Sequence, residues 1–517
     1  MTNSEKAYQD LCQLSRKAKI LEGISHLLEW DQETCMPKAA SPIRAEQLQT
    51  IAGLIHRQKT GKPFADALSK LVDLKTGSVK QGGLKPEQKA ALKRWHKDYK
   101  MQTSLPSAFV EQFAKVTSEA HLVWDRAKKQ NDFASFLPTL KKVIDLNKQK
   151  AEYFGYSDHP YDALLDIYEP EMTKKEVEKV FSSLKKSIME LLGRIQKAKQ
   201  IDDSKLQLRY PPSLQLSFGN KLAKMIGYTD ERGRLDLSTH PFSSASHPTD
   251  SRITTRIIPN LPISNIRSIL HECGHAFYEM GLPELHYGTP LGESVSLGVH
   301  ESQSRWWETR IGLSKGFWKF LMPHMKKHFK GKLDGIKLET LWKGVNKVEP
   351  SLIRVEADEV TYALHVILRF ELEVALIEGS LSPKDLPEAW NQKMEELLGI
   401  APKTDSQGCL QDIHWSMGAF GYFPTYALGN LYASQFFEAF EKAHPDWENL
   451  VEKGEFEFIK KWLTDNIHVH GRRYSSRELL KKVSGKAFTS EPFESYLNNK
   501  YSKIYIGSLP RKGQFRP

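Results

Sequence analysis

Apolar residues recur along most of this chain at the spacing of an α-helix. In MTKKEVEKVFSSLKKSIMELLGRIQ, Val177, Val180, Phe181, Leu184, Ile188 and Leu191 fall three or four apart with lysine and glutamate between them, so one face is apolar and the other solvated. Thr173 and Glu176 form a capping box, and Met172 with Val177 a hydrophobic staple, so the start of this helix is written locally as well. Similar patterns cover residues 4–28, 43–58, 87–130, 136–154, 355–380, 426–443 and 455–466, which predicts a mainly α protein.

Breaks are expected at the glycine-containing stretch 75–86, at Pro211 and Pro212, and across STHPFSSASHPTD, 238–250, where turn formers cluster. One segment departs from the helical period. In DSRITTRIIPN, 250–260, Arg252, Thr254 and Arg256 alternate with Ile253, Thr255 and Ile257, the pattern of a strand. A strand beside a catalytic helix could pair with an extended peptide. The chain shows no repeat, no low-complexity tract and no long flexible linker, so residues 1–517 are expected to form a single catalytic domain.

Composition narrows the class. A chain of 517 residues with 40% hydrophobic and 26% charged residues has enough apolar material for a folded enzyme or scaffold. The start, MTNSEKAYQDLCQLSRKAK, enters a polar helical pattern with no apolar signal region, and no run approaches about 18 apolar residues. A soluble, cytoplasmic protein with no membrane partner is expected. Cys12, Cys35, Cys273 and Cys409 are far apart and form no finger spacing, so they read as reduced thiols. The net charge of +11 comes from lysines spread along the chain with no nucleic-acid signature, so no nucleic-acid partner is expected.

The chemistry concentrates in ILHECGHAFYEM, 269–280. Residues four apart on a helix share a face, so His271 and His275 can aim ring nitrogens at one point. Glu272 is rotated about 100° around the axis, beside the metal rather than on it, where it can hold and deprotonate a metal-bound water. Ser264 is a candidate N-cap, and Gly281 with Pro283 ends the element.

A catalytic zinc takes three protein ligands and keeps a position for water. No HxxGxxH continuation follows the motif. A second helical pattern starts near Ser294 in SVSLGVHESQSRWWETRIG and carries His300, Glu301 and, two turns later on the same side, Glu308. Glu301 is the expected third ligand, completing a His₂Glu set. His300 competes for that role but points about 100° away from its neighbour. Glu308 or Glu279 could hydrogen-bond the ligand imidazoles from behind. His468 and His470 form an H-x-H pair without a third ligand nearby, and GAFGYFPTYALG reads as core or groove lining.

Six motifs in order make this chain resemble the carboxypeptidase Taq family of metallocarboxypeptidases: HPF at 240–242, DSRIT at 250–254, HECGH at 271–275, HESQ at 300–303, IRVEAD at 353–358 and GCLQDIHW at 408–415. Weaker likeness runs from LLEWDQETCMP to WLTDNIHVHG and YLNNKYSKIY, so it spans essentially the whole chain. The resemblance implies a mostly α-helical, two-lobed body with a deep groove, similar to neurolysin and angiotensin-converting enzyme, and commonly a homodimer. It implies removal of C-terminal residues one at a time from peptides, with broad preference and poor tolerance of proline, using zinc or sometimes cobalt or manganese.

Roles follow from that reading. His271, His275 and Glu301 hold the metal, and Glu272 is the general base. Tyr422 and His414 are candidate donors to the oxyanion. The substrate's C-terminal carboxylate calls for a planar guanidinium, for which Arg354 in IRVEAD is the family-matched residue and Arg252 and Arg256 are rivals. His240 and Gln303 are expected to shape the groove. The same His₂Glu site would also serve an endopeptidase or aminopeptidase, and a non-catalytic metal-stabilised scaffold is the reading from another class.

Overall fold

Helix-period segments of the sequence appear as helices in the computed structural model, which describes residues 2–80 and 83–506. It is 68% helical with one small three-stranded sheet, in keeping with the mainly α expectation. The capping box is present, with Thr173 Oγ1 accepting from the Glu176 amide and Glu176 reaching back to the Thr173 amide. Met172 and Val177 are both buried beside it.

Several boundaries differ from the periodic reading. The 87–130 pattern is two helices, Pro86–Ser104 and Ser107–Gln130. Pro106 divides them because its ring removes an amide donor and pushes the preceding residue out of the helical region. The 355–380 pattern becomes helical only from Tyr362, after a short 3₁₀ turn at Arg354–Glu356. Pro211 and Pro212 start the helix Pro212–Met225 rather than merely interrupting the chain. Of the expected break at 75–86, residues 81 and 82 lie outside the described residues.

The sheet has the order β1-β3-β2. Strand β1 (Leu235–Leu237) runs parallel to β3 (Asp250–Thr255), and β2 (Ser243–His247) antiparallel to it. The predicted strand is therefore real but ends at Thr255, before Pro259. Part of the stretch expected as loop, SSASH, is β2. Its serines carry none of the apolar alternation that marks a strand.

The motif helix, Pro262–Gly281, packs against β3, β2 and the Pro212–Met225 helix, and its Ile266, Ile269, Leu270, Cys273, Ala276 and Phe277 are all buried. Burying each of the larger apolar side chains stabilises this packing by about 1.5–3 kcal/mol. Thr255 Oγ1 donates to Asn265 Oδ1 at 2.8 Å, and Asn265 Nδ2 donates to the Gln215 carbonyl at 3.0 Å, fastening sheet and helices together. The helix begins at Pro262 with Leu261 as its cap, so Ser264 lies inside the first turn and does not cap it. A proline at the first position supplies the helical φ without needing its missing donor.

By contacts, the chain falls into two compact units. One comprises the stretch up to Ser104 with Leu206–Leu338 and Ala439–Ala487; the other comprises Leu105–Lys205, Glu339–Glu438 and the stretch from Phe488. Each is assembled from separated segments, so no single cut in the sequence parts them. No helix among the described residues is long and apolar enough to cross a membrane.

Candidate metal centre

The two histidines of the motif are half-buried and share one face of their helix. A second helix, Leu297–Arg305, crosses it, started by Ser296, whose Oγ accepts from the Val299 amide at 3.1 Å. This crossing helix is small and polar where the two meet, and its hydroxyls fold back on themselves: Ser302 Oγ donates to the Val299 carbonyl and Ser304 Oγ to the Glu301 carbonyl. The chain then continues as a wider π turn, Trp306–Ile311, a local form that often marks functional sites.

The crossing brings His271, His275 and Glu301 together, with one ligand atom from each lying within 4.8 Å of the others. Glu301 Oε2 is 3.7 Å from His271 Nε2 and 3.5 Å from His275 Nε2. A tetrahedral zinc with bonds near 2.0–2.1 Å holds its ligand atoms about 3.3 Å apart, so small side-chain movements would close these three around a divalent cation. Although burial pushes Glu301 up, His271 and His275 hold it below the ordinary carboxylate range. Among the described residues this is the one cluster of histidine, cysteine and carboxylate side chains close enough to hold an ion.

Behind the ligands the two histidines are held differently. His271 Nδ1 lies 2.9 Å from Glu308 Oε2, and Glu308 is itself anchored by Arg305 at 2.7 Å and by two nitrogens of Arg267 at 3.1 and 2.7 Å. Glu308 thus stands where the sequence placed it. Glu279 does not reach a ligand. His300 comes between, with Nδ1 2.6 Å from His275 Nδ1 and Nε2 2.8 Å from Glu279 Oε1. His300 thus faces His275 and Glu279, and the cluster of three converging ligand atoms does not include it.

Glu272, one residue on from His271, is only 6% exposed. Its carboxylate hydrogen-bonds no other described residue, and burial raises it to about 7. A nearly buried carboxylate with no partner, next to three converging ligand atoms, has the chemistry of a group that holds a water. The donor set and this orphaned carboxylate together fit a catalytic divalent cation.

The remaining candidates separate. Gln303 is 1% exposed, and its amide is engaged with His468 Nε2 and Ser302 Oγ. It supports the crossing helix instead of facing a ligand, and His468 is its partner rather than a metal site. His240 is exposed, its carbonyl accepting from Ser238 Oγ at 2.7 Å. Arg252 spends its fork on Asp250 at 2.8 and 3.1 Å and lies over the Trp30 ring. Arg256 lies just past the end of β3.

Arg354, His414 and Tyr422 belong to the second unit and collect there. Arg354, 5% exposed, donates to Asp412 through Nε and Nη2 and to Tyr362 through Nη1. Arg369 donates to the other oxygen of Asp412 at 2.6 Å. One carboxylate thus serves two guanidinium groups, and those three side chains keep a net positive charge. His414 Nε2 is 3.2 Å from the Tyr426 hydroxyl, while its ring packs on Tyr422 and Phe423. Burial pulls His414 down to about 3, with Arg354 and Arg369 adding to the effect, so the ring is neutral. Asp412, Arg369 and Tyr426 were not singled out from the sequence; the QD of QDIHW and the aromatic run were the available signals.

A family model described as Carboxypeptidase Taq (M32) metallopeptidase matches residues 10–501. Thermostable carboxypeptidase 1 of Thermus thermophilus is 43% identical over 511 residues, which cover 97% of this chain and 99% of that protein. Carboxypeptidase 1 of Bacillus subtilis is 37% identical, with 97% of this chain and 99% of that one covered. Among solved structures, the crystal structure of M32 carboxypeptidase from Deinococcus radiodurans matches with a TM-score of 0.93 at 36% identity, covering 96% of this chain and 99% of that one.

Proposed function

This chain belongs to the carboxypeptidase Taq (M32) metallopeptidase family and is a metal-dependent carboxypeptidase; from that premise we propose that His271, His275 and Glu301 hold its metal and that Glu272 is its general base. The observation that carries the assignment is Glu272 itself, nearly buried and unbonded beside three converging ligand atoms. A site built only to support folding has no use for such a group.

A divalent cation bound here, in this reading zinc with cobalt or manganese as substitutes, supplies a Lewis acid that polarises the scissile carbonyl and acidifies water. Glu272 accepts a hydrogen bond from the attacking water, takes its proton and passes it to the departing nitrogen. Glu308 keeps His271 turned so that its Nε2 faces the ligand cluster. His414, as a neutral ring, and Tyr422 are the proposed hydrogen-bond donors to the oxygen that becomes negative.

Arg354 is the proposed receiver of the substrate's free carboxylate. Its support is the charge count: Arg354 and Arg369 share Asp412, so the cluster keeps one positive charge that an anionic chain end would neutralise. Arg252 is the weaker rival because Asp250 already takes its fork. Broad removal of single C-terminal residues, a cytoplasmic setting suited to four free cysteines, and a homodimeric state complete the proposal.

Mass spectrometry of a peptide digest tests this reading. A free peptide and its N-acetylated form should shorten from the C-terminus, the C-terminal amide should be protected, and chelator should stop all cleavage. Cleavage of the amide with protection of the acetylated form would contradict it.

A further inference from the structure

His275 and Glu279 stand four apart on one face of the motif helix, and His300 from the crossing helix inserts its ring between them. The ring nitrogens His275 Nδ1 and His300 Nδ1 are 2.6 Å apart, and His300 Nε2 is 2.8 Å from Glu279 Oε1. At that distance one of the two nitrogens carries the hydrogen and donates, and the other accepts. The far end of the chain decides which. A carboxylate only accepts, so His300 Nε2 carries a hydrogen toward Glu279 and His300 Nδ1 is bare. His275 Nδ1 is then the donor, and His275 Nε2, the nitrogen 3.5 Å from Glu301, keeps its lone pair for the metal.

Resting on the assignment of His275 as a ligand, we propose that His300 is a positioning residue that fixes the tautomer and ring orientation of His275, with Glu279 fixing the tautomer of His300. The two ligand histidines are thus supported by different devices. His271 leans directly on a carboxylate, and His275 reaches one only through a second ring. His300 is held in place by packing on the Tyr278 ring, with centroids 5.2 Å apart. The outer end of the relay is not sealed in core: His300 and Glu279 line a cavity of about 520 Å³ together with Lys19, His26 and Tyr287.

The test exploits the two ends of the ring. An asparagine side chain can set its amide oxygen near the place of Nδ1, whereas a glutamine side chain reaches toward the place of Nε2. His300→Asn and His300→Gln are therefore compared with the full-length wild type for zinc affinity by chelator competition and for the visible absorption of the cobalt-loaded protein. The proposal expects His300→Asn to bind zinc within about threefold of wild type with an unaltered cobalt spectrum, and His300→Gln to bind about 10–100-fold more weakly with a shifted one.

Both variants are polar and similar in bulk, so a purely structural role would strike them alike. Equal affinities for the two, whether both near wild type or both weak, would overturn the relay. His275→Ala serves as the reference. If it still binds one zinc tightly, the ligand assignment itself has failed; if it does not, and His300→Gln binds as wild type does, the relay alone has failed.

Discussion

Gly274 and Ser304 meet backbone to backbone: a methyl group added to Gly274 would stand 2.6 Å from the Ser304 Cα and 2.5 Å from the Gln303 carbonyl oxygen. Both obstacles are main chain of a buried helix and cannot swing aside. The hydrogen at this position is what lets the crossing helix come close enough for Glu301 to reach the histidines on either side of Gly274. Gly274→Ala should therefore force the helices apart, destabilise the fold by about 1–3 kcal/mol and weaken metal binding. Thermal denaturation and a zinc titration check this, and a variant with wild-type melting and affinity would refute the crossing argument.

Glu308 joins His271 to two arginines in a region where the Glu308 side chain is 8% exposed and that of Arg305 5%. Glu308→Ala takes one carboxylate away from the buried Arg305 guanidinium, and breaking a buried ion pair costs about 3–5 kcal/mol. It also frees His271 to turn, so affinity for zinc should fall about 10–100-fold. Chemical denaturation and chelator competition should register both losses in the same variant.

Asp412 holds Arg354 and Arg369, whose side chains are 6% and 0% exposed. Asp412→Asn should lower unfolding stability by several kcal/mol, since two buried positive groups lose the counter-charge they share. Arg354→Ala is the functional counterpart: KM for a peptide with a free C-terminus should rise, with a smaller change for its amide. An equal change for both peptides would speak against Arg354 as the carboxylate receiver.

Acid should destabilise the protein partly through His365, which is fully buried and pulled down to about 3 by burial, with Arg369 and Arg354 adding to the effect. The unfolded chain binds a proton here below about 6.5, whereas the folded one stays neutral until near the lower value. Stability is thus fully present above about 6.5 and is lost as pH falls from there toward 3, by about 1.4 kcal/mol per pH unit for this ring. Urea unfolding of wild type and His365→Phe between neutral and mildly acid pH measures it. The variant should show the shallower acid slope, and parallel slopes would show that His365 is not responsible.

What the sequence disclosed depended on how local the determinant was. The box at Thr173 and Glu176, the i, i+4 pair of histidines and the alternation ahead of Thr255 are each specified within a few residues, and each reads directly. Glu301 and Glu308 were legible because they share a helical face with a known spacing. Gly274 was not, since its meaning lies in the backbone of Gln303 and Ser304, thirty residues on. His300 was visible as a histidine, but whether it ligates or supports depends on where Glu279 and His275 place their own polar atoms. β2 escaped notice because SSASH pairs through its main chain and carries no apolar pattern.

The central claim is that Glu272 acts on water beside a metal it does not ligate, and the purified Glu272→Gln variant tests this most directly when metal content and peptide turnover are measured on one sample. The account predicts one bound divalent ion per chain, as in wild type, with turnover reduced by orders of magnitude. Hydrolysis at the wild-type rate, or loss of the metal along with the activity, would contradict it.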